Sequence, residues 1–425
     1  MKKKYLIFIL ILCLFLISIS LTIFGIKYKK YKQDKQEQEE LRLQQERIAN
    51  ATIIVNLKEE QLTVPVYSII RLSDVIDNIN GELIDNFKIN TKKLGNQEIS
   101  FEYINDEDIK VPYTFTIDVV DNEPPEVWLS SSYTVNVNYS NDQMMEDIMC
   151  GDNYDSQPKC EIIGNYNLNK VGNYRLKYSA TDSSGNNTTK DFTLYVVEPS
   201  NGGGSSSYKP AKYTELDYVR NMFPNKNVKL GIDISAWQSD VDFQKVKDAG
   251  IEFVFLRVGG NLDNDTVKMP DNFLDGKFKR NIEGFNAVGI PVGIYFFSYA
   301  GNEETSIRDA EWVIEQIKDY KVDLPIAYDW ENWGRGFNQY HKSMYEITHA
   351  GEVFLDKITE AGYQGILYGS INALNHFWQP IDYPIWVAHY TDEADYSDYD
   401  YWQLASNGHV PGINGYVDLD VMYIK

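Results

Sequence analysis

From Val228 onward, eight short apolar runs alternate with longer amphipathic stretches, and few folds accommodate that order. The runs read as strands at Lys229–Ile234, Phe253–Val258, Val292–Phe297, Pro325–Asp329, Gly365–Gly369, Ile385–Ala388, Tyr401–Ala405 and Val417–Met422. Helical spacing falls near Asp242–Ala249, Phe273–Val288, Glu303–Tyr320 and His341–Ala361, with a short stretch after Ser370. This order predicts an α/β irregular (β/α)-type barrel, irregular because no full helix fits between strands after about Phe377. In such barrels the side chains that do chemistry sit at the carboxyl ends of the strands.

The fourth run carries the sharpest pattern. Leu324–Trp333 reads Leu-Pro-Ile-Ala-Tyr-Asp-Trp-Glu-Asn-Trp, an apolar strand ending in Asp329 and Glu331. Strand residues two apart share a face, so a strand continuing through Glu331 aims both acids at one site. Like charges held close, with apolar neighbours, push one carboxyl's pKa toward the working pH. That supplies the proton donor and the anion that glycosidic cleavage requires. Asp233 ends the first strand and Asp418 lies in the last, and closure of a barrel brings those two strands together. All four carboxylates are therefore expected around one opening. Tyr295, Tyr328, Trp330, Tyr368, Trp386 and Tyr390 populate the same strand ends, with Trp237 and Trp333 near them. Aromatic rings of this kind suit the flat C–H faces of sugars, whereas Phe297 and Trp402 read as core.

The rest of the chain reads as a support for that site. A formal net charge of -22 over 425 residues excludes nucleic acid as a natural partner. Tyr5–Ile26 is an uncharged apolar segment that would extend about 33 Å as a helix, long enough to span a bilayer. It lacks a small-x-small cleavage site, so a transmembrane signal anchor is expected at 5–26. A cytoplasmic tip at 1–4 precedes it and a charged stalk at 27–50 follows.

Between Ala51 and Glu198, short alternating runs are separated by Asn, Asp and Gly, as in small β-sandwiches. Phe115-Thr-Ile-Asp-Val-Val-Asp121 returns as Phe192-Thr-Leu-Tyr-Val-Val-Glu198, and Lys93-Leu-Gly-Asn96 as Lys170-Val-Gly-Asn173, both at a period of 77 residues. The segment is therefore read as duplicated. The tandem prolines of Asp121-Asn-Glu-Pro-Pro125 set the boundary, giving repeats at 51–122 and 123–198. The strand and turn Tyr174-Arg-Leu-Lys-Tyr-Ser-Ala-Thr-Asp-Ser-Ser-Gly-Asn186 resembles the bacterial immunoglobulin-like repeats of cell-surface proteins, which implies spacer or adhesive modules. Cys150 and Cys160 are open to either reading, a small disulfide loop or two free thiols. Asp152, Asp155 and Asp182 hint at calcium, but acidic turns are usually solvated, and no metal is assigned. A Gly/Ser linker at 199–214, centred on Gly202-Gly-Gly-Ser-Ser-Ser207, is expected to let the last domain swing.

Five motifs in order complete the picture: Gly231-Ile-Asp-Ile-Ser-Ala-Trp-Gln238, Gly293-Ile-Tyr-Phe-Phe297, Ala327-Tyr-Asp-Trp-Glu331, Pro384-Ile-Trp-Val-Ala-His-Tyr390, and the stretch Trp402–Asp420. Over about 228–425, within a barrel domain at 215–425, the chain resembles the glycoside hydrolase family 25 lysozymes, N-acetylmuramidases that cut the β-1,4 bond from N-acetylmuramic acid to N-acetylglucosamine in peptidoglycan. The resemblance implies Glu331 as general acid/base and Asp329 as the acid that steadies the substrate's 2-acetamido group. It implies Asp233 and Asp418 as supporting acids, and Tyr295, Trp386 and Tyr390 along the sugar cleft. Asp420 departs from the Asn of many relatives, while Asn332-Trp-Gly-Arg-Gly336 and Leu262–Asp271 read as loops particular to this chain. No cofactor is implied. The expectation is a multidomain, membrane-anchored wall hydrolase with its C-terminal domains outside the cell. A non-catalytic wall-binding protein or adhesin is the alternative.

Overall fold

The computed structural model describes residues 27–199, 214–224, 227–238, 240–261, 272–338, 340–391 and 399–424. The chain divides into two compact units, Met1–Val120 and Asp121–Lys425. In the first, residues 27–50 are helical and exposed nearly throughout, as their Gln, Glu and Lys content requires. A four-stranded sheet follows, built from β1 (Leu62–Pro65), β2 (Gly81–Leu83), β3 (Gly95–Asn105) and β4 (Lys110–Val120). Strand β3 alternates in burial, with Ile99, Phe101 and Tyr103 inward and Glu98, Ser100 and Glu102 outward. One apolar face therefore pins the register.

The second unit opens with the other copy: β5 (Glu126–Trp128), β6 (Ser132–Asn136), β7 (Met149–Gly151), β8 (Lys159–Ile163), β9 (Gly172–Thr181) and β10 (Asn187–Val197). The hairpin β9–β10 repeats β3–β4 at the spacing of 77 residues, from Gly95 to Gly172 and from Val120 to Val197. In both copies the first sheet strand runs parallel to the last, β1 beside β4 and β6 beside β10. A core of Val135, Met144, Leu176, Tyr178, Phe192 and Leu194 fills the second copy. Cys150 and Cys160 are joined by a disulfide.

The remainder forms an eight-stranded closed barrel. Its strands are β11 (Val228–Ile234), β12 (Phe253–Asn261), β13 (Val292–Phe297), β14 (Ile326–Asp329), β15 (Gly365–Ser370), β16 (Ile385–Ala388), β17 (Tyr401–His409) and β18 (Val417–Tyr423). Neighbours from β11 to β17 pair in parallel, and β18 runs antiparallel to both β17 and β11. Helices α1 (Phe243–Asp248), α2 (Phe278–Val288), α3 (Glu303–Ile317), α4 (Trp333–Asn338), α5 (Met344–Glu360) and α6 (Ile371–His376) occupy the connections up to β16. The two longest barrel helices each start on a side-chain cap: Asn302 on Thr305 N for α3, and a Ser343–Glu346 capping box for α5.

Aromatic side chains fill the barrel. Phe253, Phe255, Trp386 and Tyr401 form its interior, with Phe255 stacked on Trp386 at 4.3 Å. Glycines on the neighbouring strands make the room. A Cβ on Gly231 would sit 2.3 Å from the Phe253 ring, and one on Gly293 would sit 2.4 Å from Phe255. A second core, between strands and helices, holds Ile294, Phe296, Tyr328, Trp330, Phe354 and Leu367 among others.

Two parts of the expected fold class are corrected. The barrel is not (β/α)-type throughout: an antiparallel eighth strand closes it, and no helix separates β16, β17 and β18 among the described residues. The segment between β17 and β18 is too short for a crossover, so there the chain turns back and pairs antiparallel instead. The transmembrane helix is no part of the described architecture either. Residues 5–26 lie outside the described residues, and among those described no helix is long and apolar enough to cross a membrane.

Of the expected linker at 199–214, residues 200–213 also lie outside the described residues. Within the second unit, the immunoglobulin-like copy packs against the barrel rather than standing apart. Met344 N donates to Asp152 O at 2.8 Å and Tyr345 N to Asn153 O at 3.2 Å. Trp128 meets Phe377 at 5.9 Å between ring centroids, and Gly151 lies against the Phe337 ring with no space for a Cβ.

Candidate active site

The carboxyl ends of the barrel strands gather the acids. Asp233, in β11, lies directly opposite Asp418 in the antiparallel partner β18, and Asp420 lies opposite both Gly231 and Gln403. Asp329 ends β14, level with Phe297 on one side and Tyr368 on the other. The strand stops there rather than running through Glu331. Glu331 nonetheless stays on the same side, since its carboxyl and that of Asp329 share a hydrogen bond.

Buried charge sets the proton affinities. Burial raises Asp329 well above the carboxylate range, and the Glu331 charge and the shared hydrogen bond add to it, while Arg257 opposes. Glu331 is open to solvent at the mouth but ringed by protein elsewhere. That surrounding protein raises its carboxyl, against hydrogen bonds from Asp329 and Tyr368. Asp418 is pushed up to about 6, by burial first and the Glu331 charge second. Asp233 is raised by burial and by the charges of Asp418 and Asp420. Asp420 Oδ2 and Asp329 Oδ1 are buried with no hydrogen-bond donor among the described residues, which disfavours a full charge on either.

A polar lattice holds these groups in place. Tyr368 and Tyr390 both donate to Gln403 Oε1, at 3.0 and 2.9 Å, which turns the Gln403 amide nitrogen onto Asp233 Oδ2 at 2.7 Å. Trp386 Nε1 donates to Asp420 Oδ1 at 2.9 Å. Arg257 is bound to the buried Asp275 at 2.8 Å, which fixes the cation near Asp329. Gln403, Asp420 and Arg257 were not among the expected site residues. For Asp420 the signal was present, since Asp418-x-Asp420 has the same two-residue spacing as Asp329-x-Glu331.

The ten expected residues separate into three groups. Asp233, Asp329, Glu331 and Asp418 come together, and Tyr295 lies among Asp233, Asp329 and Asp418, whose charges raise its phenol further above a level already set by burial. Tyr368 and Trp386 are buried beneath them, as a floor carrying hydrogen bonds, and Tyr390 is 56% exposed on the rim. Tyr328 and Trp330 are corrections. Both are fully buried against the helices, Tyr328 on Phe354 and Trp330 beside Tyr299, because alternation sends them outward when Asp329 faces in. The loop Leu262–Asp271 lies outside the described residues. A concavity of about 610 Å³ before β16 and β17, lined by Pro380, Tyr383 and Asp400, holds none of these acids and lies at the opposite end of the strands.

An eight-stranded barrel with a cluster of acids at the ends of its parallel strands has the layout of a barrel-type active site. Residues 232–413 match the model of the glycosyl hydrolases family 25, and residues 133–196 that of the bacterial surface protein Ig-like domain. The autolytic lysozyme of Clostridium acetobutylicum is 28% identical over 195 residues, covering 45% of this chain and 54% of that protein. Lysozyme M1 of Streptomyces globisporus is 24% identical over 210 residues, covering 44% of this chain and 65% of the relative. The matched region thus spans about half the length of the first of these. Among solved structures, the modular autolysin LytC of Streptococcus pneumoniae aligns with a TM-score of 0.41 at 24% identity, over 58% of this chain and 56% of that one. A family 25 glycosyl hydrolase of Bacillus anthracis aligns with a TM-score of 0.39 at 22% identity, over 46% and 89%.

Proposed function

We propose that this protein is a peptidoglycan hydrolase of the lysozyme class, an N-acetylmuramidase acting outside the cell. The observation that carries the reading is the hydrogen-bonded Asp329–Glu331 pair at the mouth of the barrel. Carboxyls in hydrogen-bond contact are closer than the roughly 6.5–9.5 Å that an inverting pair needs to admit water, and closer than the roughly 5–5.5 Å of a pair with a protein nucleophile. A substrate that brings its own nucleophile fits this spacing, and the 2-acetamido group of an N-acetylated sugar is one. The lysozymes among the sequence relatives support the same substrate class. The disulfide at Cys150–Cys160 supports an oxidising, extracellular setting for these domains.

In this mechanism Glu331 gives its proton to the glycosidic oxygen as the bond from that oxygen to the anomeric carbon breaks. The acetamido oxygen closes onto the same carbon, and Asp329 takes up the positive charge that develops at the amide. Water then adds to the anomeric carbon as its bond to the acetamido oxygen breaks, losing a proton to Glu331 and restoring the neutral acetamide, and the configuration is retained. Asp233 and Asp418 line the same mouth as supporting acids, and burial raises the Glu331 carboxyl above its ordinary range.

The test is Glu331→Gln in the full chain, with purified cell walls as substrate. Turnover should fall by at least about 10²–10⁴-fold while sedimentation with walls persists. Mass spectrometry of wild-type digests should show N-acetylmuramic acid at the new reducing ends. An active Glu331→Gln variant overturns the assignment. Wall binding by the wild type with no release of reducing ends would instead make the protein a wall-binding module.

A further inference from the structure

The immunoglobulin-like copy that packs on the barrel holds a second acidic cluster unconnected with the first. Asp121, Asp152 and Asp182 are all buried, and each offers a carboxylate oxygen within 4.8 Å of the others. They come from the entry to the unit, the loop after β7 and the turn after β9, so the fold, not one acidic turn, assembles them. Asp152 is 1% exposed and Asn153 is 4% exposed.

The hydrogen bonds around this cluster leave oxygens over. Asp152 Oδ2 accepts Tyr154 N at 3.0 Å and Asp155 N at 2.7 Å, and Asp182 takes the backbone and side-chain nitrogens of Asn186, both at 2.8 Å. Asp152 Oδ1, Asp121 Oδ2 and Asn153 Oδ1 are buried with no partner. Buried oxygens without a donor are costly, and three beside a third carboxylate more so.

We infer that Asp121, Asp152, Asp182 and the side-chain oxygen of Asn153 form a binding site for a divalent cation of the calcium class. The donors are all hard oxygens, with no imidazole or thiolate near, which excludes zinc-type ligation and suits an ion that takes six to eight oxygens. The site has a structural consequence for the barrel. The carbonyls of Asp152 and Asn153 accept the backbone N–H groups of Met344 and Tyr345 at the start of α5, and Gly151 rests on Phe337 of α4, the helix that begins two residues after Glu331. Cation binding therefore fixes the loop that docks this module beside the active-site segment. The inference does not depend on the hydrolase reading.

Calorimetric titration of the full chain, stripped with EDTA, with CaCl₂ should give one site per chain, and thermal melts should rise by several degrees in calcium. Asp152→Asn should weaken calcium binding at least tenfold. In EDTA it should melt at or above the wild type, since it removes an uncompensated buried charge, whereas in calcium it should melt below. Asp182→Asn provides the same comparison should Asp152→Asn fail to fold. No heat and no calcium-dependent change in the wild-type melt would overturn the site. So would unchanged calcium binding in both variants, and an equal response to MgCl₂ would overturn the calcium assignment.

Discussion

Asp233 and Asp418 stand opposite one another across the antiparallel strand pair that closes the barrel, and their charges act on each other from within a largely buried mouth. Asp418 carries a carboxyl raised from 3.8 to about 6, so the folded chain holds a proton there that the unfolded chain has lost. Its stabilising contribution is complete below 3.8 and is lost as pH rises through about 6. Asp418→Asn should match the wild type in urea melts at pH 4. At pH 7 it should exceed the wild type by about 1–3 kcal/mol. Equal stabilities at both pH values would contradict that burial.

Asp329→Asn leaves a side chain of the same shape in β14 but removes the charge that faces the substrate. We expect kcat to fall about 10²–10³-fold with KM changed far less, because the charge matters most as positive charge develops. Steady-state kinetics on soluble muropeptides would read the split. A rise in KM alone would make Asp329 a binding group.

Trp237 is 85% exposed on the loop after Asp233, at the same end of the barrel as the acids. Trp237→Ala should leave stability within about 0.5 kcal/mol of the wild type. If its ring is a sugar platform, KM should rise by roughly 5–30-fold, the equivalent of about 1–2 kcal/mol of aromatic contact.

Gly293→Ala would drive a methyl group into Phe255, which stacks on Trp386, which in turn holds Asp420. The overpacking should cost about 1–3 kcal/mol. Gly293→Ala combined with Phe255→Leu should recover part of that loss in thermal melts, a coupling that independent sites would not show.

The disulfide joins cysteines 10 residues apart. Replacing both with serine should lower stability by about 2–3 kcal/mol, from the loop entropy returned to the unfolded chain. Chemical denaturation of the full chain would measure it, with loss confined to the second unit.

Much of the site was legible because strand alternation is strict. Asp329-x-Glu331 and the terminal positions of Asp233 and Asp418 were enough to place four acids at one opening. The same rule, carried one residue either way, would have sent Tyr328 and Trp330 into the helix layer, but their likeness to sugar-binding rings outweighed it. Gln403 and Arg257 were illegible for another reason. Each acts through partners on distant strands, Gln403 through Tyr368, Tyr390 and Asp233, and no local spacing encodes such a meeting. The cation cluster was half visible: Asp152 and Asp182 stood out, but Asp121 read only as part of a domain boundary. The antiparallel last strand was equally hidden, since an apolar run does not state its direction.

That last strand has a consequence for how the protein comes into being. β18 supplies Asp418 and Asp420 and is the only element that bridges β17 to β11, so neither the ring nor its acidic centre exists until it is in place. During translation every earlier strand emerges first. A nascent chain halted between Glu331 and Val417 would carry Glu331 already made, yet remain an unclosed sheet with no assembled centre.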